Sequence, residues 1–338
     1  MLPLLFRDPN KTKDGEIIVL AGDVGGTKTN LALYKMTKGK IIELKEGNYK
    51  SQKYQSITEI TGDFLKDQPQ PAACCIGVAG PVFDGKVKLT NLSWEMDSIE
   101  IAKKMELAKV YLINDLEATA YGLAMLSDED LVTIHKGSDT PFGNAAIIAP
   151  GTGLGEAGLY FDGRIYYPFA TEGGHCDFAA RDQEDFELFE YLQKKFGHVS
   201  YERVICGPGI SNIYQFLQEE KKLEEPAWIT EKIKQGDAAA EISEHTEQSA
   251  LCDKTMQLFI RFLAYESANL VLKMKATGGL FIGGGIAPQL IPLFKKYSFN
   301  PSFKDSGRMN HLLEKVTVSI ILNPKTAMLG AAYYAAKA

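Results

Sequence analysis

The 338-residue chain has no basic excess, no long apolar run and few cysteines, and each lack removes a class of function. Forty-three acidic against 37 basic residues give a formal charge of −6, so no cationic face for nucleic acid or anionic lipid is expected. No stretch approaches the ~18 apolar residues of a membrane span. The apolar segment Leu2 to Phe6 follows no basic residues and runs at once into Arg7 and Asp8. It falls short of the about 7–15 apolar residues of a secretory core and reads as an untargeted tail. The five cysteines, Cys74, Cys75, Cys176, Cys206 and Cys252, are odd in number and show no Cys-x-x-Cys spacing. Neither a disulfide framework nor a zinc cluster is indicated, and a reduced cytoplasmic compartment is expected. What remains, 45% hydrophobic and 24% charged residues, is ordinary for a soluble globular chain. At about 150 residues per domain the length suggests two domains.

The first organised segment is Ile17-Ile18-Val19-Leu20, a β-branched run that predicts a buried strand. It leads into Gly22-Asp23-Val24-Gly25-Gly26-Thr27, then a second strand at Leu31-Ala32-Leu33-Tyr34. A turn at Lys38-Gly39-Lys40 precedes a third strand, Ile41-Ile42-Glu43-Leu44. This is a meander rather than a strand-to-helix phosphate loop. The signature returns at Ala145 to Ala149, with Pro150-Gly151-Thr152-Gly153-Leu154-Gly155 and a strand at Ala157 to Tyr160. An Asp162-Gly163 turn and a strand at Arg164 to Tyr167 follow. A unit recurring after about 125 residues suggests a duplicated architecture with one glycine-rich hairpin per copy; two unrelated hairpins that share glycine are the alternative. Buried strands are also predicted at Cys74 to Val78 and Val110 to Ile113. Residues 219 to 254, rich in Glu and Lys, read as solvated helices without chemistry. A largely buried helix is predicted from about Thr255 to Lys275, ended by Gly278-Gly279. After a strand at Leu280 to Ile282 comes Gly283-Gly284-Gly285, with Pro288 opening another helix.

Four constellations could carry chemistry. The two glycine-rich turns bring bare backbone N–H groups near a ligand and could hold a polyphosphate. Asp23 beside such a site could reach Mg²⁺ directly or through water, or bond its own backbone as a turn residue. The run from Gly22 misses a Walker loop because Thr27 stands where Gly is required. Gly283-Gly284-Gly285 misses a Rossmann fingerprint because Pro288 occupies the last glycine position. Asp115, after Asn114 at the end of an apolar strand, could serve as a general base; an Asn-Asp helix cap is the alternative. Glu172-Gly173-Gly174-His175 and Glu202 form a polar set suited to neutral hydroxyls, its glycines allowing close approach to a ligand; a solvated glycine turn is the alternative. Adjacent His175, Cys176 and Asp177 converge poorly on one metal ion.

Asp23-Val24-Gly25-Gly26-Thr27, Ile113-Asn114-Asp115, Pro150 to Gly155, Glu172 to His175, Glu202-Arg203-Val204 and Gly283 to Pro288 occur in that order. Together they resemble the bacterial glucokinase family, in the hexokinase branch of the actin-like ATPase superfamily. The resemblance runs from about residue 17 to the C-terminus. It implies an α/β, two-lobed actin-like ATPase (ribonuclease H-like) fold with a duplicated βββαβα core and a cleft where ATP and glucose meet. The small lobe would be residues 1–125, completed by a C-terminal helix at 323–338, and the large lobe 126–322. Gly22, Asp23, Val24, Gly25, Gly26 and Thr27, with Gly151, Thr152 and Gly153, would hold the phosphates. Gly283, Gly284 and Gly285 would lie near the adenosine. Asp115 would deprotonate the 6-hydroxyl, and Asn114, Asp115, Glu172, His175 and Glu202 would bind glucose. Mg²⁺ would arrive with ATP, Asp23 being the carboxylate that could reach it. A homodimer is implied, with neither nucleic acid nor membrane as partner. The related repressor and kinase family carries a zinc-binding cysteine cluster and an N-terminal DNA-binding domain. Only Cys176 and Cys206 stand in the corresponding region here, so no structural zinc is expected, and the start of the phosphate motif at Gly22 leaves no room for that domain. A kinase for mannose or glucosamine, a non-catalytic sugar or nucleotide sensor, and a filament-forming ATPase are the competing expectations.

Overall fold

The fold is described from a computed structural model covering Phe6, residues 16–37, 40–89, 92–138 and 142–337. The apolar segment before Phe6 and the turn at Lys38-Gly39 lie outside the described residues. The chain divides into two compact units, the first comprising Met1–Asp130, Leu159–Ala170 and Asn323–Ala338, the second Leu131–Gly158 and Thr171–Leu322.

In the first unit, β1 (Ile17–Val24), β2 (Lys28–Thr37) and β3 (Lys40–Lys50) form the expected meander. β4 (Ala73–Val78) and β7 (Val110–Asn114) extend it to a five-stranded sheet ordered β3-β2-β1-β4-β7. A small ribbon, β5 (Lys86–Lys88) with β6 (Glu95–Asp97), lies between them in sequence. Strands β1, β4 and β7 are parallel, with Val24 opposite Val78 and Val78 opposite Asn114. The turn after Val24 and the helix after Asn114 therefore leave from the same, carboxyl-terminal end of the sheet, where open α/β sheets bind ligands.

Side chains alternate across this sheet, and each face has its own core. Leu20, Leu31, Leu33, Cys74 and Ile76 pack with Ile60 and Phe64 on one side. Val19, Ala21, Ala32, Tyr34 and Cys75 pack with Met328, Ala331, Ala332 and Ala335 of the last helix, Thr326–Lys337, on the other. That helix crosses Asp115–Gly122 closely: a methyl on Gly330 would stand 1.8 Å from Ala118 O, and one on Gly122 2.0 Å from Thr326 O. Each Leu or Ile so buried contributes about 1.5–3 kcal/mol relative to exposure.

The second unit holds most of a six-stranded sheet ordered β11-β10-β9-β12-β13-β8. Its strands are β8 (Leu131–His135), β9 (Ala145–Pro150), β10 (Leu154–Phe161), β11 (Tyr166–Thr171), β12 (Gly279–Ile282) and β13 (Val318–Ile321). β9, β12 and β13 are parallel, Ile282 pairing with Ile148 and Ile320, so Gly151 and Gly283 follow neighbouring strand ends. The 25-residue helix Ala250–Met274 runs through the core and begins five residues before the sequence suggested, with Ser249 as its cap. Strand β11 starts at Tyr166 rather than Arg164, because Asp162 Oδ1 accepts from the backbone N–H of both Arg164 and Ile165 and prolongs the turn. The hairpin tip Leu159–Ala170 groups with the first unit rather than with the rest of 126–322, its Tyr166 ring lying 6.2 Å from that of Phe6.

Candidate active site

In the first unit the glycine-rich run is partly strand and partly turn. Gly22 and Asp23 belong to β1, where a methyl on Gly22 would press on Leu31 and Ile76 at 3.1–3.2 Å. Asp23 faces Asn30 across the hairpin, and Asn30 Nδ2 donates to its Oδ2 at 3.4 Å. Burial pushes the Asp23 carboxyl above its ordinary range, with the Asn30 hydrogen bond opposing. The turn itself, Gly25-Gly26-Thr27, is closed by Gly25 N–H donating to Lys28 O at 2.9 Å. Buried Ser51 braces it: its N–H donates to Thr27 O and its hydroxyl to Gly25 O, each at 3.0 Å.

Asn114 and Asp115 stand at the junction of β7 and the helix Asp115–Gly122. Asn114 is the cap of that helix. Its Oδ1 accepts from Leu116 N–H at 2.8 Å and Glu117 N–H at 3.4 Å, while Nδ2 donates to Gly80 O at 3.2 Å. Such a cap contributes typically about 1 kcal/mol. Asp115 is the first helical residue, half-buried, its Oδ1 accepting from Leu116 N–H at 2.9 Å. The capping duty thus falls on Asn114, and it fixes the Asp115 carboxyl at the helix start.

In the second unit, Glu172, His175 and Glu202 come together. The His175 ring lies between the carboxylates, Nε2 4.0 Å from Glu172 Oε2 and Nδ1 4.0 Å from Glu202 Oε1. Glu172 and His175 are exposed on a short turn, Gly173–His175, and Glu202 is half-buried. Glu202 Oε2 accepts from the N–H of Leu154 at 2.9 Å, and a methyl on Gly153 would strike it at 2.5 Å. The polar set and the second glycine-rich turn are therefore one assembly. Gly173 and Gly174, expected to admit a ligand, are also required by the packing beneath them. Methyls there would lie 2.0 Å from Glu156 Oε2 and 2.1 Å from Leu154 O, so these glycines let the turn lie flat on β10.

A cavity of about 720 Å³ adjoins the second glycine turn, within the range of small-molecule sites. Gly151, Thr152 and Gly285 line it, together with Gly207, Pro208 and Asn212 of the helix Gly207–Glu219. Gly207 N–H donates to Gly151 O at 2.9 Å and ties helix start to turn. Gly283 and Gly284 stand apart from the lining. Gly283 N–H bonds Ile148 O at 2.8 Å, and Gly284, at φ +78°, lies so near Pro150 O that a methyl would approach to 2.2 Å. Residues 219–254, read as helices without chemistry, supply Asp237, Ala238, Ala239 and Ser243 to the wall. No spacing announced them; the Gly207-Pro208 pair at a helix start was the one local signal. Among the described residues no group of three or more His, Cys, Asp or Glu could hold a metal ion, and no helix is long and apolar enough to cross a membrane.

Parallel strands ending in glycine-rich turns, with a cavity and a polar set beside one of them, are the mixed α/β arrangement that the comparisons place among sugar kinases of the actin-like ATPase type. The glucokinase family profile matches residues 20–338. A glucokinase of Trichormus variabilis is 38% identical over 339 residues, covering 95% of this chain and 99% of its own. The crystal structure of glucokinase from an Antarctic psychrotroph superposes with a TM-score of 0.83 at 30% identity, over 97% of this chain and 100% of that one. The Balamuthia mandrillaris glucokinase in complex with glucose shares the fold, with a TM-score of 0.79 at 21% identity over 96% of this chain and 95% of its own. The chain belongs to the glucokinase family.

Proposed function

We propose that Asp115 is the general base of this enzyme and that Glu172, His175 and Glu202, with the remaining amide hydrogen of Asn114, bind the sugar hydroxyls. As a member of the glucokinase family, the chain phosphorylates glucose at the expense of ATP. The observation that carries the site reading is the convergence of Glu172, His175 and Glu202 on one another beside Leu154. A neutral sugar offers no charge, so selectivity must come from paired hydrogen bonds, and such sites reject an analogue lacking one hydroxyl by about 10⁴–10⁵. The proton of the 6-hydroxyl passes to the Asp115 carboxylate as the oxygen attacks, a step typically worth about 10²–10⁴-fold.

Phosphoryl transfer leaves the protein mainly positioning and charge neutralisation. The turns Gly22 to Thr27 and Gly151 to Gly153 offer backbone N–H groups to the phosphates, and the start of helix Gly207–Glu219 adds its positive end. The cavity at Gly151 and Gly285 would take the nucleoside. Mg²⁺ prefers one or two carboxylates plus phosphates and water. Asp23, a hard oxygen donor whose Oδ2 accepts from Asn30 Nδ2 at 3.4 Å, fits that demand. Held there with ATP, the ion would offset charge on the phosphate oxygens.

The same proposal takes the two units as copies of one βββαβα plan, since β3-β2-β1-β4-β7 and β11-β10-β9-β12-β13 repeat one order. Their limits are proposed at 1–125 with 323–338 and at 126–322, less the hairpin tip Leu159–Ala170. A cytoplasmic site fits five free cysteines, and the homodimer is checked by mass in solution. The deciding assay measures ADP release over glucose, mannose and glucosamine, with ATP, ADP and polyphosphate as donors. Glucose with ATP should give the highest kcat/KM; preference for another sugar would reassign the set around His175.

A further inference from the structure

Beneath the turn that carries Glu172 and His175 lies a buried acidic pair that neither the sugar nor the phosphate reading uses. Glu156, on β10, is 1% exposed, and Glu266, on the helix Ala250–Met274, is fully buried. Glu266 is well supplied with donors: Lys273 Nζ reaches Oε1 and Asn269 Nδ2 reaches Oε2, each at 2.8 Å. Glu156 is not, for its buried Oε1 meets no hydrogen-bond partner among the described residues. Two carboxylates buried side by side, with the ammonium of exposed Lys273 reaching only Glu266, leave an uncompensated negative charge, which a low-dielectric interior strongly disfavours. One retained proton removes that charge and makes Glu156 a donor toward Glu266.

Burial, and then the adjacent Glu266, push the Glu156 carboxyl up to about 8, with Lys273 opposing. Two other titratable groups face the cluster. The Tyr201 hydroxyl accepts from Asn269 Nδ2 at 2.9 Å, and Cys176 lies near enough to raise Lys273. The same carboxyl supports the turn above it. A methyl on Gly173 would stand 2.0 Å from Glu156 Oε2, so the Gly173 backbone rests on that oxygen. Thr171 Oγ1 donates to Glu156 O at 3.0 Å and accepts from Gly173 N–H at 3.3 Å, tying the turn to β10 a second time.

We propose that Glu156, buried beside Glu266 and directly beneath Gly173, is a positioning residue that holds Glu172 and His175 in their sugar-binding arrangement. The proposal rests on reading that turn as the sugar site. Ionisation would set two negative charges side by side under Gly173 and loosen the turn. The folded-state pKa lies above the ordinary 4.5, so the support is complete below that value and fades as pH rises through about 8.

The test is the pH profile of the glucose KM, from about pH 6.5 to about pH 9.5, in the unaltered chain and in Glu156→Gln. Toward the upper end of that range the proton is lost, and the unaltered KM should stand at least about threefold above its neutral value. Glutamine cannot ionise, so the KM of Glu156→Gln should vary less than about twofold over the same range. A Glu156→Gln profile rising in parallel with the unaltered one overturns the proposal. Infrared spectroscopy of the unaltered chain decides the matter even if that variant fails to fold. A protonated-carboxyl carbonyl band that disappears with a midpoint near the pKa given above is expected, and its absence overturns the proposal. Glu172→Ala separates the two readings: an unchanged glucose KM there would sink the sugar-site assignment, whatever the Glu156 profile shows.

Discussion

Glu202 Oε2 accepts the N–H of Leu154 at 2.9 Å while its Oε1 stands 4.0 Å from His175 Nδ1. One carboxylate is thus shared between a glycine-rich turn and the polar set proposed to hold the sugar, so the two cannot be perturbed independently through it. Glu202→Ala should raise the KM for glucose and for ATP together. Glu172→Ala, which removes the carboxylate 4.0 Å from His175 Nε2, should raise the glucose KM alone. A charge-assisted hydrogen bond is worth about 1.5–3 kcal/mol, or about 10- to 150-fold. Initial rates with each substrate varied against saturating partner give both numbers, and an ATP KM unmoved by Glu202→Ala would contradict the shared role.

Asp115→Asn keeps the shape of the side chain and an acceptor for Leu116 N–H but cannot take a proton. Its kcat should fall at least about 10²-fold while nucleotide affinity stays within a few fold. Steady-state kinetics paired with equilibrium nucleotide binding make the comparison. Turnover close to the unaltered rate would remove Asp115 from the role of base.

Removing divalent cation with a chelator should abolish turnover and leave glucose binding intact, because the ion accompanies the phosphates. In Asp23→Asn the Mg²⁺ concentration for half-maximal rate should rise at least about threefold, since a neutral amide is a poorer ligand than a carboxylate. A Mg²⁺ titration at saturating ATP and glucose reads it, and an unshifted midpoint would return Asp23 to a purely structural place beside Asn30.

Gly330→Ala should lower the melting temperature. The new methyl would stand 1.8 Å from Ala118 O, a backbone atom with little freedom to retreat. Overpacking of this kind costs about 1–3 kcal/mol, which for a chain of this size is several degrees. Differential scanning calorimetry supplies the comparison; an unchanged transition would mean that the helices Asp115–Gly122 and Thr326–Lys337 part easily.

Much of this was legible in the sequence because local chemistry and burial agree. Ile17 to Leu20, Cys74 to Val78 and Leu280 to Ile282 read as buried strands and are, since β-branched and apolar residues between glycine and proline suit no other element well. Cys74 and Cys75, opaque as a pair, are explained by period two: one enters each core of the first sheet. Other features were illegible for a stated reason. Gly173 and Gly174 read as ligand-approach glycines, and their close packing on β10 was not legible because it is set by a pairing no local spacing encodes. Asp237 to Ser243 looked merely solvated because their composition is that of any surface helix; only tertiary placement brings them to the wall shared with Gly151. The acidic pair Glu156 and Glu266 lies on two elements more than 100 residues apart in the chain.

Ser51 is fully buried, and its clasp on Gly25 and Thr27 is built from the chain's own backbone and hydroxyl. A triphosphate settling on that turn would find no segment left to freeze, so little ordering entropy would be lost on association. Affinity there should then follow ionic strength more than temperature, the behaviour of a preformed anion seat rather than of a loop that folds around its guest.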